Sequence, residues 1–314
     1  MKKVLIAAML FAGSWAFAQQ DVQFSQYMFN RILYNPAVAG SSGSICANAL
    51  MRSQWVGFGD GNPQSLNVNV HMPVRFLGGG LGLSIMSDEL GFQYTRDFRL
   101  SYSYHLDLGS GQLGIGISGG LSNVGLQVDQ WIDPAGGSGG LDPSIPAVSQ
   151  NEIVPDLGFG LYYWNDQFWA GASVSHLVPF SADYANNFGN TLKFDQSRHI
   201  FVNAGYRWEM SPNWELRPSM LVKSDLASFQ LDINGVAYYN NKFYGGLSYR
   251  IEDAVAVLLG MNVMENLTVG YSYDVTTSQL NVRSNGSHEV MLKYCFEIEV
   301  PPRTPQKYRN VRFL

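Results

Sequence analysis

The chain has 314 residues, with 20 lysines and arginines against 25 acids, a formal net charge of −5 and 46% hydrophobic residues. That acidic balance argues against a nucleic-acid partner, and past the first twenty residues no apolar run of about 18 offers a transmembrane helix. Thirty-three glycines, 18 phenylalanines, 17 tyrosines and 7 tryptophans with only 14% charged residues fit many short strands, whether in a membrane β-barrel or in a large soluble β-sandwich.

Residues 1–18 begin with Lys2 and Lys3, continue through an apolar run from Val4 to about Ala12, and end on the small residues Ala16 and Ala18. This is the pattern of a cleavable signal peptide, with the mature chain starting at Gln19 and no cysteine there to carry a lipid. The signal takes two lysines and no acid with it, leaving 18 bases against 25 acids. Residues 19–43 neither alternate nor read as a helix, and Asn35-Pro36 and Gly40 punctuate them as a turn. They are expected to form a periplasmic or lumen-packed segment.

From Ser44 to about 300 the hydrophobicity alternates with period two, the repeat of a β-strand. Fourteen strand-like segments can be marked, roughly 44–55, 64–72, 80–87, 94–106, 112–126, 156–164, 168–178, 198–208, 214–223, 229–239, 243–250, 255–262, 267–274 and 288–299. An even count suits a single-chain bacterial barrel. Alternate connections are tight, such as Asp107–Gly111, Asn165–Gln167 and Asn240–Lys242. Several others are long, including Gln127–Pro155, Pro179–Ser197 and Val275–Ser287. Short turns on one rim and longer loops on the other are the mark of a transmembrane antiparallel β-barrel of the outer membrane, the short rim being periplasmic.

The faces fit that fold class. Asn67, Asn69 and His71 oppose Leu66, Val68 and Val70; Arg99, Ser101, Ser103 and His105 oppose Phe98, Leu100, Tyr102 and Tyr104. In the last segment Val290, Leu292, Tyr294 and Phe296 oppose Met291, Lys293, Cys295 and Glu297. A lysine or arginine on the lipid face costs about 2–4 kcal/mol at the midplane, so the polar faces should line a lumen. Lumen groups such as Arg52, Arg99, Asp232, Asp274, Lys293 and Glu297 carry mixed signs, which favours a lumen closed by paired charges over an ion-selective ring.

Few constellations suggest chemistry. Ser287-His288-Glu289 puts a serine, a base and a carboxylate together, but neighbours on a strand point to opposite faces, so no catalytic relay forms. His71, His105, His176, His199 and His288 stand on separate strands without ligand spacing and read as hydrogen-bonded residues, so no metal and no cofactor is expected. Cys46 and Cys295 lie on the first and last strands, which pair when the barrel closes, and parity turns both inward. An exported protein then permits a seam disulfide, although an unfixed register favours two unrelated small residues. The end of the chain, residues 301–314, carries Arg303, Lys307, Arg309 and Arg312 among three prolines. It reads as a periplasmic tail, either frayed or a docking peptide for an acidic partner.

Several stretches together resemble the PorP/SprF family of outer-membrane proteins of type IX secretion in Bacteroidetes. They are Gln23-Phe24-Ser25-Gln26-Tyr27-Met28-Phe29-Asn30, Asn35-Pro36-Ala37, Ala39-Gly40, Arg52 with Gln54-Trp55 and Gly57, Pro218-Ser219, Tyr249-Arg250, Gly270-Tyr271-Ser272-Tyr273-Asp274, and Gly286-Ser287-His288-Glu289 with Met291-Leu292. The resemblance implies a non-enzymatic barrel integral to the outer membrane. It would support export or surface attachment of a secreted, adhesin-like protein, in some members in connection with gliding motility. Its partners would be membrane lipid and type IX components, including a periplasmic peptidoglycan-binding protein. The alternative is an outer-membrane channel for a small solute.

Overall fold

A computed structural model describes residues 21–59, 61–127, 148–185 and 191–296. Its barrel strands are β1 (Ile45–Ser53), β2 (Gln64–Val74), β3 (Gly79–Leu90), β4 (Gln93–Leu108), β5 (Gly111–Leu126), β6 (Gln150–Trp164) and β7 (Phe168–Ser175) in the first half. A separate hairpin follows, β8 (Phe180–Ala185) and β9 (Thr191–Gln196). The second half holds β10 (His199–Tyr206), the short β11 (Trp208–Ser211), β12 (Trp214–Ser224), β13 (Phe229–Tyr239), β14 (Phe243–Arg250), β15 (Ala254–Met264), β16 (Leu267–Thr276) and β17 (Ser287–Phe296).

Every neighbour in the wall pairs antiparallel. β1 pairs with β17 from Ile45↔Phe296 to Ser53↔His288, and β7 reaches β10 past the β8–β9 hairpin. The wall closes where β10 pairs with β12; β11, beyond Arg207, prolongs the same partnership at the rim. Leaving out the hairpin and β11, fourteen strands form a closed barrel. Closure leaves no unpaired edge in the membrane, where an unsatisfied backbone group costs several kcal/mol. Each of the fourteen sequence segments corresponds to one wall strand. The long Pro179–Ser197 connection is not all loop: it contains β8 and β9.

Burial is inverted relative to a soluble protein. Along β2, Ser65, Asn67, Asn69 and His71 are buried, while Leu66, Val68, Val70 and Met72 are exposed. The same holds on other strands, where Phe98, Leu100, Ile117, Phe159, Leu259 and Leu292 face outward. A sandwich would bury that apolar face between two sheets; here it is the outer surface, in contact with lipid. Exposed Tyr104, Trp208, Trp214, Tyr239 and Phe243 gather toward the rim of short turns, as an interfacial girdle does.

The apolar core lies inside the wall, between it and residues 21–43. Phe24, Tyr27, Leu33 and Tyr34 of that segment pack against inward-facing Leu50, Met86, Phe201, Leu221 and Met291. Lower down, Ile32, Ala37, Val38 and Ala39 pack with Tyr162 against Trp164 and Trp169. Three single turns of 3-10 helix, Tyr27–Phe29, Arg31–Leu33 and Pro36–Val38, give the segment its compact path. Such turns carry no period long enough to appear as a sequence pattern.

Cys46 faces Cys295 across the β1–β17 seam, and the two form a disulfide. The reading of two unrelated residues is thereby corrected: the register, which no sequence pattern fixes, puts them directly opposite. Glu297 and the basic tail with Arg303, Lys307, Arg309 and Arg312 lie outside the described residues.

Candidate functional site

Residues 21–43 run down the lumen from its outer half to the periplasmic rim, and polar groups all along them meet wall residues. At the top, Lys223 Nζ donates to the Asp21 carbonyl at 2.8 Å and Gln23 Nε2 to Asp232 Oδ2 at 2.9 Å. Midway, Asn30 exchanges side-chain hydrogen bonds with Asn67 (2.8 Å) and Asn69 (2.6 Å). At the bottom, Ser103 Oγ donates to the Ala37 carbonyl at 2.9 Å, and the His105 ring meets the Ala39 carbonyl at 3.0 Å. The Gly40 amide points at His71 Nδ1, 3.3 Å away.

The Asn35-Pro36-Ala37 motif has a local cause and a distant one. Asn35 Oδ1 accepts the Ala37 amide at 2.9 Å, capping the third 3-10 turn with Pro36 at its first position. Its Nδ2 donates to the Leu161 carbonyl of β6 at 2.9 Å. The wall must be thin where this backbone lies against it. A Cβ on Gly116 would stand 2.2 Å from Ala37 N, and one on Gly40, itself at φ +77°, would stand 2.6 Å from Gly80 Cα.

The anchor of the segment is a node of buried charge. Arg52 of β1 reaches Asp274 of β16 at 2.7 Å and Glu289 of β17 at 3.1 Å. Arg250 of β14 reaches Asp232 of β13 at 3.1 Å, Asp253 at 3.1 Å and Asp274 at 3.6 Å. Ser25 sits at the centre: its Oγ donates to Asp274 at 2.6 Å and receives Arg52 at 3.1 Å and Arg250 at 3.2 Å. The amides of Ser25 and Gln26 both donate to the Glu289 carboxylate, at 2.8 and 2.9 Å. Arg52, Asp274, Glu289, Arg250 and Asp232 are all nearly inaccessible to solvent. Charges buried this way are held only by such mutual pairing; removing one partner typically costs about 3–5 kcal/mol.

A second polar cluster lies at the outer end. His176, just beyond β7, is held between Asp156 (Nδ1 to Oδ1, 2.9 Å) and Asp21 (Nε2 to Oδ1, 3.0 Å), with His199 beside it. Arg99 completes the group through Asp156 at 2.7 Å. Burial disfavours the His176 imidazolium, but the Asp21 and Asp156 carboxylates outweigh it and raise its pKa to about 10. Burial likewise disfavours the Asp21 carboxylate, yet His176 and His199 hold its pKa well below the usual range. The cluster lines an outer cavity of about 330 Å³.

A periplasmic cavity of about 280 Å³ lies below the segment. Here Arg31 donates to the Tyr162 hydroxyl and stacks 4.8 Å from the centre of the Trp169 ring. Lys293 shares the cavity with no carboxylate within ion-pair distance among the described residues.

Sequence reasoning placed Arg52, Arg99, Asp232 and Asp274 on the lumen side, as observed, but it did not single out Arg250, Ser25 or Asp156. The signal available for Arg250 and Ser25 was membership of the Tyr249-Arg250 and Phe24-Ser25-Gln26 stretches. Ser287 and Glu289 face inward and His288 outward, against Tyr271, so the three do not form a relay. His71 and His105 hold backbone groups of the segment. His176 and His199 come together only because Ser175 pairs with His199 across the β7–β10 junction.

The stretches scattered over the sequence therefore converge in space: Ser25 and Gln26, Arg52, Arg250, Asp274 and Glu289 form the one node. A family model described as type IX secretion system membrane protein PorP/SprF matches residues 16–294. The chain belongs to the PorP/SprF family. With its lipid-facing closed barrel, this family member is an integral protein of the bacterial outer membrane. No curated protein matches it. Similar solved structures include the CymD monoaromatic hydrocarbon channel, with 11% identity, 85% of this chain and 92% of that one covered, and a TM-score of 0.49. The Pseudomonas putida toluene transporter TodX has 8% identity, coverages of 88% and 95%, and a TM-score of 0.48. Acinetobacter baumannii Omp33 has 7% identity, coverages of 81% and 99%, and a TM-score of 0.47.

Proposed function

We propose that this PorP/SprF barrel works as a plugged, non-enzymatic scaffold of the type IX apparatus. It supports export or surface attachment of a secreted, adhesin-like protein at its outer loops. Its periplasmic turns and basic tail dock partners, a peptidoglycan-binding protein among them. The observation that carries this reading is the filled lumen: residues 21–43 cross it on buried ion pairs and wall-to-segment hydrogen bonds. A solute would have to break the Arg52–Ser25–Glu289 node to pass, at a cost of several kcal/mol. Among the described residues Arg31 and Lys293 at the periplasmic mouth have no carboxylate within ion-pair distance, which favours a partner that brings an acidic group.

The competing reading is a small-solute channel, favoured by the cavities above and below the segment. Purification from native outer membrane in mild detergent, with and without residues 301–314, combined with conductance in planar bilayers, tests both. The scaffold reading expects a silent barrel, a co-purifying secreted protein, and a periplasmic partner lost on truncation. A steady porin-like conductance from a barrel that purifies alone would sink it.

A further inference from the structure

The outer cluster has more donors than a latch for the segment needs, and they are arranged in a particular way. One donor atom each from Asp21, His176 and His199 lies within 4.8 Å of the other two. Asp21 Oδ1 is 3.0 Å from His176 Nε2. Donors about 2.0–2.1 Å from a tetrahedral zinc ion are separated by roughly 3.3 Å, so the Asp21–His176 spacing is already close to what an ion needs.

The groups behind the two rings supply an independent argument. A histidine that binds a metal almost always gives its other ring N–H to a carboxylate or a backbone carbonyl, which fixes the ring and its tautomer. His176 Nδ1 has the Asp156 carboxylate at 2.9 Å, and His199 Nδ1 has the Ser197 carbonyl at 3.1 Å. Both Nε2 atoms are thereby left toward Asp21: one meets its carboxylate, the other accepts its amide at 3.2 Å. Asp156 is itself held by Arg99. The charge of the cavity also favours a cation. Asp88 and Asp97 line it, meeting the hydroxyls of Ser65 and Ser122 and no base within ion-pair distance among the described residues.

We propose that Asp21, His176 and His199 form a binding site for a divalent transition-metal ion, zinc being the best match to two imidazoles and one carboxylate, with the fourth position open to the outer cavity. The ion takes the place of the proton between His176 Nε2 and Asp21 and of the Asp21 amide at His199. Asp21 belongs to the luminal segment and the histidines to the wall, so the ion ties the top of the plug to the barrel.

The test uses the full mature chain, refolded or purified in detergent, stripped with a chelator and titrated with Zn²⁺ alone. The expected result is one ion per chain, at least tenfold weaker binding in His199→Ala, and loss in His176→Ala/His199→Ala. Asp156→Asn should weaken binding 10- to 100-fold by releasing the ring it holds, while His288→Ala, on the lipid face, leaves it unchanged. Heat-modifiable migration on gels establishes that each variant is a folded barrel. X-ray absorption of the zinc form supplies a readout that needs no variant and should report two imidazoles. Stoichiometry below one-tenth of an ion per chain, retention in the folded double variant, or a spectrum without imidazole would each overturn the proposal.

Discussion

Gly116→Ala tests whether the luminal segment is seated as tightly as the geometry demands. The added methyl would lie 2.2 Å from Ala37 N, 2.4 Å from Ala37 Cα and 2.5 Å from the Pro36 carbonyl carbon. Carbon contacts settle near 3.5–4.0 Å, so the backbone at Pro36–Ala37 must withdraw by more than about 1 Å. That movement breaks the Ser103-to-Ala37 and Asn35-to-Leu161 hydrogen bonds. Two such bonds contribute about 1 kcal/mol each, and a buried carbonyl left without a donor adds about 1–3 kcal/mol, giving a loss of roughly 3–5 kcal/mol. Gly235→Ala is the matched control, because a Cβ there meets nothing within 4 Å and its effect should stay near the ±0.5 kcal/mol of a neutral site. Urea unfolding from lipid vesicles, followed by tryptophan fluorescence, measures the difference; bilayer recordings should show intermittent openings in Gly116→Ala alone. If the two variants unfold alike and neither opens, the close seating of the segment plays no part in holding the lumen shut.

Arg52→Leu leaves Asp274 and Glu289 buried with too little positive charge and should cost about 3–5 kcal/mol. The segment should then become cleavable by protease near Ser25, with the barrel migrating as folded; unchanged protease resistance would count against the node as anchor. The Cys46→Ser/Cys295→Ser pair releases a bridge spanning 249 residues of sequence, for which chain entropy gives an upper figure of roughly 5 kcal/mol. Reducing agent should lower wild-type resistance to urea and leave the double variant unaffected. Leu100→Arg places a charge on the lipid face of β4 and should cost about 2–4 kcal/mol in vesicles, measured by the same unfolding series. A negligible loss would mean that this face does not lie in the hydrocarbon.

The wall was legible because its physics is repetitive: each strand must turn alternate residues to lipid and to lumen, and that requirement writes a period of two into fourteen separate stretches. Strand ends were less legible. β6 begins at Gln150, six residues before the alternation was marked, and β7 stops at Ser175 because His176 takes a left-handed backbone, φ +53°. The β8–β9 pair had a signal in the sequence, alternation in Phe180–Ala185 and Thr191–Gln196 on either side of an Asn- and Gly-rich stretch. The luminal segment had none of this kind. Its contacts are apolar packing and individual hydrogen bonds to strands up to 264 residues away, and no local pattern encodes where they land. For the same reason the sequence could put Arg52 and Asp274 on the inner face but could not pair them with each other or with Glu289, since that follows from register.

The node also bears on the order of assembly. Ser25 and Gln26 come early in the chain, yet their amides are satisfied by Glu289 on the last strand, which also carries the seam with β1. Until β17 is in place, the segment lacks its strongest acceptor and the barrel lacks its closure. Contacts of such sequence separation form late and slowly. The final strand therefore completes wall and plug in the same event, so a barrel that stalls before that step stays both open at its side and unblocked at its centre.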